Sequence, residues 1–555
     1  MNADSTPKVD VIVVGYGPSG LVLASLLGQM GHSVAVVERW PDLYGKPRLT
    51  HIDGETARLV SLCGDVDHAL RDAWTVPHYY WLNGKHQLLL DVGAGGNTRR
   101  MLWDDHISVH LPHIEEAIHE RIQSQPNIQL YRGHEAVELT QDADGVTLHC
   151  VPWHKGLSPS APVPQALTLR ARYLVGCDGS NSFVRQALGV ERIDFGFNER
   201  WLCVDTQPLR KLPAKFDENA IQMCDPRRGY MFMPIGKKRQ RFEFALLPGE
   251  STEDMQAPEA AFRMLQEYHD IGPQDVSLIR NLVYTFECRL AKTWNVGRVF
   301  LAGDAAHTNP PYLGQGACSG MRDAANLAWK FHLTLSGLSD PKLLQSYEKE
   351  RRPHAQQIML ASRSLGLVAN TSNLVKAAIR DLLFKLNLTP KPKFPVLTDG
   401  VLAKGGDGKL AAHAGTLAPQ GRITANGTTK RFDEHVGFRF ALITRPGVIE
   451  ALSSELGAAL KQVGVHIVEL GDRSNGQRVI DVDGVYGRFL DSLGADAVLT
   501  RPDFVVYGHA TRSALEQFIE RFLEQLHSLK GRLLDHAGSE FLGDKTPIED
   551  LARDE

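Results

Sequence analysis

The period of apolar residues changes several times along the chain, and each change marks an element. Residues 9–14 (VDVIVV) form a short β-branched run, which suits a strand buried on both faces. A glycine-rich turn follows, then LVLASLLGQMG, an apolar-rich helix expected to be capped at Gly31. SVAVVER predicts a second strand, so the chain opens as a βαβ unit. Residues 75–105 read as short inserted strands, and 113–125 (HIEEAIHERIQSQ) as a helix with Ile114, Ala117, Ile118 and Ile122 on one face. VTLHCVPW and ALTLRARYLVGCDG predict strands around a proline-rich loop at 154–165. Residues 191–284 alternate in strands such as RFEFALLP, with few helices, and could wall a cavity. The segment 319–362 is helix-rich, and Pro, Lys and Gly cluster at 387–412, where a linker is expected. Beyond it, FRFALIT, LSSELGAALKQVG, VHIVEL, ADAVLTRPDFVVYG and ALEQFIERFLEQLHSL alternate strand and helix over 413–540.

Composition narrows the class. The chain has 555 residues, 43% hydrophobic and 23% charged, an ordinary globular balance with room for several domains. A net charge of −4 without basic runs gives no reason to expect nucleic acid as a partner. None of the seven cysteines forms a C-x-x-C pair, and they read as reduced thiols. The opening MNADSTPKVD has no basic n-region followed by an apolar stretch, and no run approaches a membrane span. A cytoplasmic protein without a membrane partner is expected. No metal-ligand spacing such as H-E-x-x-H is present, so no metal is expected.

Candidate chemistry begins at the first turn. Gly15, Gly17 and Gly20 make G-x-G-x-x-G directly after a strand. The first permits a tight turn, the second lets pyrophosphate approach the backbone, and the third lets helix and strand pack closely. The helix start, with Pro18 and Ser19, offers free N–H groups to phosphates. Glu38 ends the second strand at the spacing of an acid that accepts from ribose hydroxyls, and Arg39 follows it.

Two further stretches lie far from the first. One is YLVGCDGSNSFVR, with Asp178, Gly179, Ser182 and Arg185; the other is GRVFLAGDAAHTNPPYLGQGACSGMRDAANLAWK. Together, in this order and spacing, the three stretches resemble the class A, FAD-dependent aromatic hydroxylases of the phenol hydroxylase type. The resemblance covers about residues 8–365. CDP at 224–226, RFEF at 241–244, PGE at 248–250, VYT at 283–285 and CRLA at 288–291 most resemble the 3-(3-hydroxyphenyl)propionate hydroxylases.

The resemblance implies an α/β fold: a Rossmann-type FAD-binding domain, an inserted mainly-β substrate domain and a thioredoxin-like C-terminal domain. The expected boundaries are 8–75, 106–190 and 285–386 for FAD binding, 76–105 and 191–284 for substrate, 387–412 for the linker and 413–540 for the C-terminal domain. That last domain has no cysteine, so dithiol redox chemistry is excluded and a structural or dimerisation role is expected, with a homodimer as the candidate assembly.

The implied reaction is hydroxylation of a small phenolic substrate with NAD(P)H and O₂ through a flavin C4a-hydroperoxide. A polyketide-tailoring oxygenase, a non-oxygenating flavin oxidoreductase and a flavin-binding regulator remain as alternatives. Carried over residue by residue, the resemblance gives FAD contacts at Gly15, Gly17, Pro18, Ser19, Gly20, Glu38, Arg39, Asp178, Gly303, Asp304, Pro311, Gly314, Gly316 and Ala317. Arg48, in KPRLTH, suits FAD pyrophosphate or the nicotinamide nucleotide, because guanidinium grips phosphate at two points. His51 beside it reads as structural. Where the family carries a flavin-contacting Gln, this chain has His110-Leu111-Pro112, so that contact is not carried over. Candidates for a base acting on the phenol are Tyr230, His307 and Tyr312. Arg48, Arg227, Arg228 and Arg241 are candidates to pair with a substrate carboxylate.

Overall fold

The strand Lys8–Val14 is central because nothing in it wants water: Val11, Ile12 and Val13 are fully buried. In the computed structural model, which describes residues 8–92, 98–153, 165–388, 394–472 and 478–526, it lies between Leu167–Gly176 and Val34–Glu38. Val299–Leu301 and Ile128–Arg132 extend the same sheet on either side, and each of these pairings is parallel. This is the expected Rossmann-type core. A Cβ at Gly15 (φ +102°) would lie 2.4 Å from the Cys177 carbonyl oxygen, and one at Gly20 would lie 2.0 Å from that of Gly15. Only glycine fits either place, and the close approach puts the Pro18–Gln29 helix against the strand ends.

A second, mostly antiparallel sheet runs in the order His307–Thr308, Val276–Ala291, Arg192–Pro208, Arg239–Ala245, Tyr230–Ile235, Asn219–Cys224, His78–Asn83 and Leu88–Asp91. The strand Val276–Ala291 passes straight through position 284, where a domain boundary was expected. Directly opposed residues share a face. One face carries Phe232, Phe242, Phe244, Leu202 and Val204 against the helix Pro258–His269 and forms a closed apolar core. The other turns toward the parallel-sheet unit. It carries a row of Gln222, Met231, Glu243, Cys203 and Leu282, and beside it a row of Met233, Arg241, Asp205 and Arg280.

The third sheet is ordered Thr428–Arg431, Arg422–Ala425, Arg478–Asp481, His466–Leu470, Ala441–Thr444, Ala497–Thr500 and Val506–Ala510. It is not a separate bead on a linker. Ile519 and Phe522 of its last helix share one apolar cluster with Trp329 and Leu333 of the helix Gly316–Leu335. A fully buried ion pair crosses the same boundary: Arg501 reaches Glu350 at 2.7 Å, and Lys330, on the same side as Glu350, reaches that carboxylate at 2.9 Å. Arg58 donates to Asp433 Oδ1 at 2.7 Å. Where it is described, the expected linker is itself packed, with Leu397 and Leu402 buried. The expected 154–165 loop (save Gln165), the 389–393 stretch and the tail from 527 lie outside the described residues. All seven cysteines are free.

Candidate active site

The glycine turn presents an open helix start. Gly17 caps the helix Pro18–Gln29 with no side-chain bond, and Pro18 occupies the first turn, where its missing N–H costs nothing. A Cβ at Gly17 would meet only Arg48 Nη2, at 3.9 Å, so space above the helix N–H groups is clear. Glu38 is fixed by two backbone donors, Tyr16 N at 2.8 Å and Trp40 N at 3.0 Å. Arg39 is exposed and lies over the Trp40 and Trp153 rings. Arg48 overhangs the turn. It stacks on Tyr44 and is held by Glu115 Oε1 at 2.5 Å.

The other two stretches converge on this turn. Asp178 Oδ2 accepts from Val184 N, while its Oδ1 is buried without a partner. Arg185, buried, donates to the carbonyls of Ala305 and Ser180, so it ties the second stretch to the third. Gly303 has φ +62°, and a Cβ there would lie 2.5 Å from Ser19 Oγ. That contact sets Asp304 beside the first turn. The Asp304 side chain is open to solvent, yet surrounding protein raises its carboxyl, with His307 and Arg48 pulling it down. Both properties together describe a residue on a cleft floor. Beyond it, Pro311–Leu313 form a single 3₁₀ turn, and Gly314 (φ +63°) leads into the helix Gly316–Leu335. That helix has no side-chain cap, and a Cβ at Gly316 would meet only Asn309, at 4.0 Å. Gln315 is pinned between Asp53 and Arg322, at 3.0 and 2.9 Å.

The second sheet roofs this cleft. Arg241 donates to the carbonyls of Pro47 and Arg48, and Thr50 Oγ1 donates to Met233 Sδ at 3.1 Å. Tyr284 is 47% exposed on the same face. Burial pushes its hydroxyl up to about 12, assisted by Asp304, so it stands within the field of the cleft floor.

Comparison with known proteins assigns this arrangement. The family described as FAD binding domain matches residues 8–362, and the HcaD C-terminal domain matches 415–525. A probable NADH-specific resorcinol 4-hydroxylase of Rhodococcus jostii (strain RHA1) is 36% identical over 91% of this chain and 93% of that protein. A 3-(3-hydroxy-phenyl)propionate/3-hydroxycinnamic acid hydroxylase of Escherichia coli (strain SMS-3-5 / SECEC) is 31% identical, covering 94% and 95%. The chain belongs to the FAD-dependent aromatic hydroxylases. Its fold is shared with the flavin-dependent monooxygenase PieE, solved with FAD and substrate (TM-score 0.77, 22% identity, 94% of this chain and 100% of that one). It is shared too with aklavinone-11 hydroxylase (TM-score 0.73, 22% identity, 94% and 100%).

The site of this hydroxylase fits FAD on its own geometry. The open glycine turn, the orphaned Asp178 Oδ1, the accessible Asp304 and the uncapped Gly316 lie along one cleft. Among the described residues no group of three or more His, Cys, Asp or Glu could hold a metal, and no helix is long and apolar enough to cross a membrane.

Each of the three base candidates is engaged within the protein. Tyr230 lies opposite Phe244 on the far face of the sheet and packs on Tyr268 and His269. His307 is fully buried, bonded to Asp323 at 2.7 Å and stacked on Trp294. Burial alone would lower it, but Asp323 holds it raised. The Tyr312 hydroxyl is spent on Glu199 at 3.0 Å, and Asn370 bonds both.

The arginines are also occupied. Arg227 pairs with Asp225, Arg228 with Glu250, and Arg241 and Arg280 both with Asp205. His110 packs against His113, and burial lowers it to about 4. His51 bonds His106 at 3.1 Å, as a structural histidine would. Sequence reasoning missed Glu115, Thr50, Tyr284 and Glu243. VYT was noticed as a string, but which face Tyr284 takes depends on strand register.

Proposed function

We propose that this hydroxylase adds one oxygen atom of O₂ to a neutral phenol, with a reduced nicotinamide nucleotide as electron donor. NADH is preferred here because the Rhodococcus relative is named as NADH-specific. The observation that carries the substrate class is the state of the arginines. Among the described residues on the sheet's cleft face, Arg241 and Arg280 both pair with Asp205, so neither guanidinium there stands unpaired for a substrate carboxylate.

In this reading Ser19 and Gly20 N–H groups, with Arg48, hold the pyrophosphate, and Glu38 and Arg39 hold the adenosine end. Asp178 and Asp304 accept from the ribityl-side hydroxyls. The loop Pro311–Gly314 and the helix start at Gly316 and Ala317 would hold the flavin end of the cofactor, and the positive helix end would favour negative charge there. Held by these residues, FAD would supply the acceptance of hydride from the nicotinamide and the activation of O₂. The chain itself orients the phenol under Met231, Met233 and Tyr284 and keeps bulk water from the reacting atoms. Tyr284, exposed in the cleft, replaces Tyr230, His307 and Tyr312 as the hydroxyl that meets the phenol. The test is a substrate screen by NADH consumption with product mass spectrometry, comparing resorcinol with 3-(3-hydroxyphenyl)propionate.

We also infer the finer organisation. The C-terminal unit is thioredoxin-like: Ala441–Thr444 and His466–Leu470 are parallel around a helix, and Ala497–Thr500 and Val506–Ala510 add antiparallel, before a final helix. Its buried charges support a bracing role. The reduced thiols are in keeping with a cytoplasmic protein. A homodimer contact would use the helix Leu374–Lys385, whose Leu374 and Val375 are 73% and 69% exposed. Sedimentation of the chain and of Val375→Glu tests that contact.

A further inference from the structure

One buried acid on the cleft face has no role so far. Glu243 stands in the middle of the sheet, between Met231 and Cys203 on the neighbouring strands. Among the described residues no nitrogen donates a hydrogen bond to it. Arg241 Nη1 is 3.9 Å away, beyond hydrogen-bond reach, and the donors of Arg241 go instead to Asp205 and to the carbonyls of Pro47 and Arg48. Cys203 opposes it on the neighbouring strand, and burial raises the Glu243 carboxyl, with Arg241 pulling it down. A buried carboxyl without a full set of donors costs stability, and such groups cluster where a ligand completes them. Met231 and Cys203 directly oppose it, and Leu282 lies beyond Cys203, so its immediate neighbours across the strands are weakly polar or apolar.

We propose that Glu243 accepts a hydrogen bond from a ring hydroxyl of a neutral phenol of the 1,3-dihydroxybenzene class. The inference rests on the hydroxylase reading above. A phenol O–H supplies the donor that the protein withholds. Phenols with a second hydroxyl would have one group at Glu243 and one toward Tyr284.

The experiment uses the FAD-loaded enzyme and follows flavin absorbance during titration with resorcinol and with 3-(3-hydroxyphenyl)propionate. Glu243→Gln should weaken resorcinol binding about threefold to tenfold, the effect of weakening one hydrogen bond, with flavin content unchanged. Glu243→Leu, which keeps no acceptor at this place, should lower resorcinol binding further, with flavin content again unchanged. Unchanged resorcinol affinity in either variant would overturn the assignment to Glu243 and leave the hydroxylase reading standing. If wild type turns over neither compound, or binds the acid more tightly than resorcinol, the substrate class itself is wrong and the inference falls with it.

Discussion

Arg241 and Asp205 form a two-point ion pair inside the cleft roof, Nε to Oδ1 at 2.6 Å and Nη2 to Oδ2 at 3.0 Å. The remaining donors of Arg241 hold the backbone of Pro47 and Arg48, so one guanidinium joins the substrate sheet to the loop that overhangs the glycine turn. Asp205→Asn leaves Arg241 and Arg280 without their shared partner. The expected cost is about 3–5 kcal/mol of stability, with faster flavin loss, read by denaturant unfolding and by FAD fluorescence after dilution. Full stability with full flavin retention would mean the pair does not anchor this loop.

Asp304 is expected to act on flavin binding more than on folding, because it makes no hydrogen bond within the described protein and is open to solvent. Asp304→Ala should weaken FAD by about 1–3 kcal/mol, the worth of one or two hydrogen bonds, with little change in the apoprotein melting temperature. Equilibrium dialysis of released FAD measures the first, and calorimetry of the apoprotein the second. A variant that unfolds but binds normally would reverse the assignment.

Tyr284 and Tyr230 separate the two faces of the sheet. Tyr284→Phe should lower hydroxylation about tenfold or more if its hydroxyl meets the phenol, whereas Tyr230→Phe, on the packed far face, should leave turnover within about twofold. Steady-state kinetics on the two variants gives the answer, and equal effects would contradict the facial assignment.

Glu350 gives the protein an acid limb. Burial would raise its carboxyl, but Arg501 and Lys330 hold it down to about 2. Its folded value lies below its unfolded value of 4.5, so its contribution is fully present above about 4.5 and is lost as the pH falls toward 2. Glu350→Gln should cost about 3–5 kcal/mol at neutral pH and flatten the loss of stability between those two values. For the same reason a chain ending near residue 395 should be recovered as aggregate. It would leave Glu350 without Arg501, Arg58 without Asp433, and Trp329 and Leu333 uncovered. Soluble, FAD-loaded protein from that chain would show the C-terminal unit to be dispensable.

The parts legible in the sequence were the local ones. Gly15, Gly17, Gly20 and Glu38 fall within one βαβ unit, where spacing along the chain is nearly spacing in space. Gly303, Asp304 and Gly316 could be read in the same way. What failed to show was set by pairing between distant segments. Arg48 needs Glu115, and Arg241 needs Asp205, before either can be called occupied. A one-residue change of register would exchange Tyr230 with Met231 between core and cleft, and no single strand reports which way it faces. The alternation after residue 413 was correct as a pattern, but nothing in it announced that Arg501 and Asp433 are buried against the flavin-binding unit.

The most direct test of the whole account is turnover of resorcinol by the FAD-loaded enzyme with NADH under ¹⁸O₂, followed by mass spectrometry. The account expects a trihydroxybenzene carrying one ¹⁸O atom, formed together with NADH consumption, and little product from 3-(3-hydroxyphenyl)propionate. NADH consumption without label in any aromatic product, or labelled product from the acid alone, would contradict it.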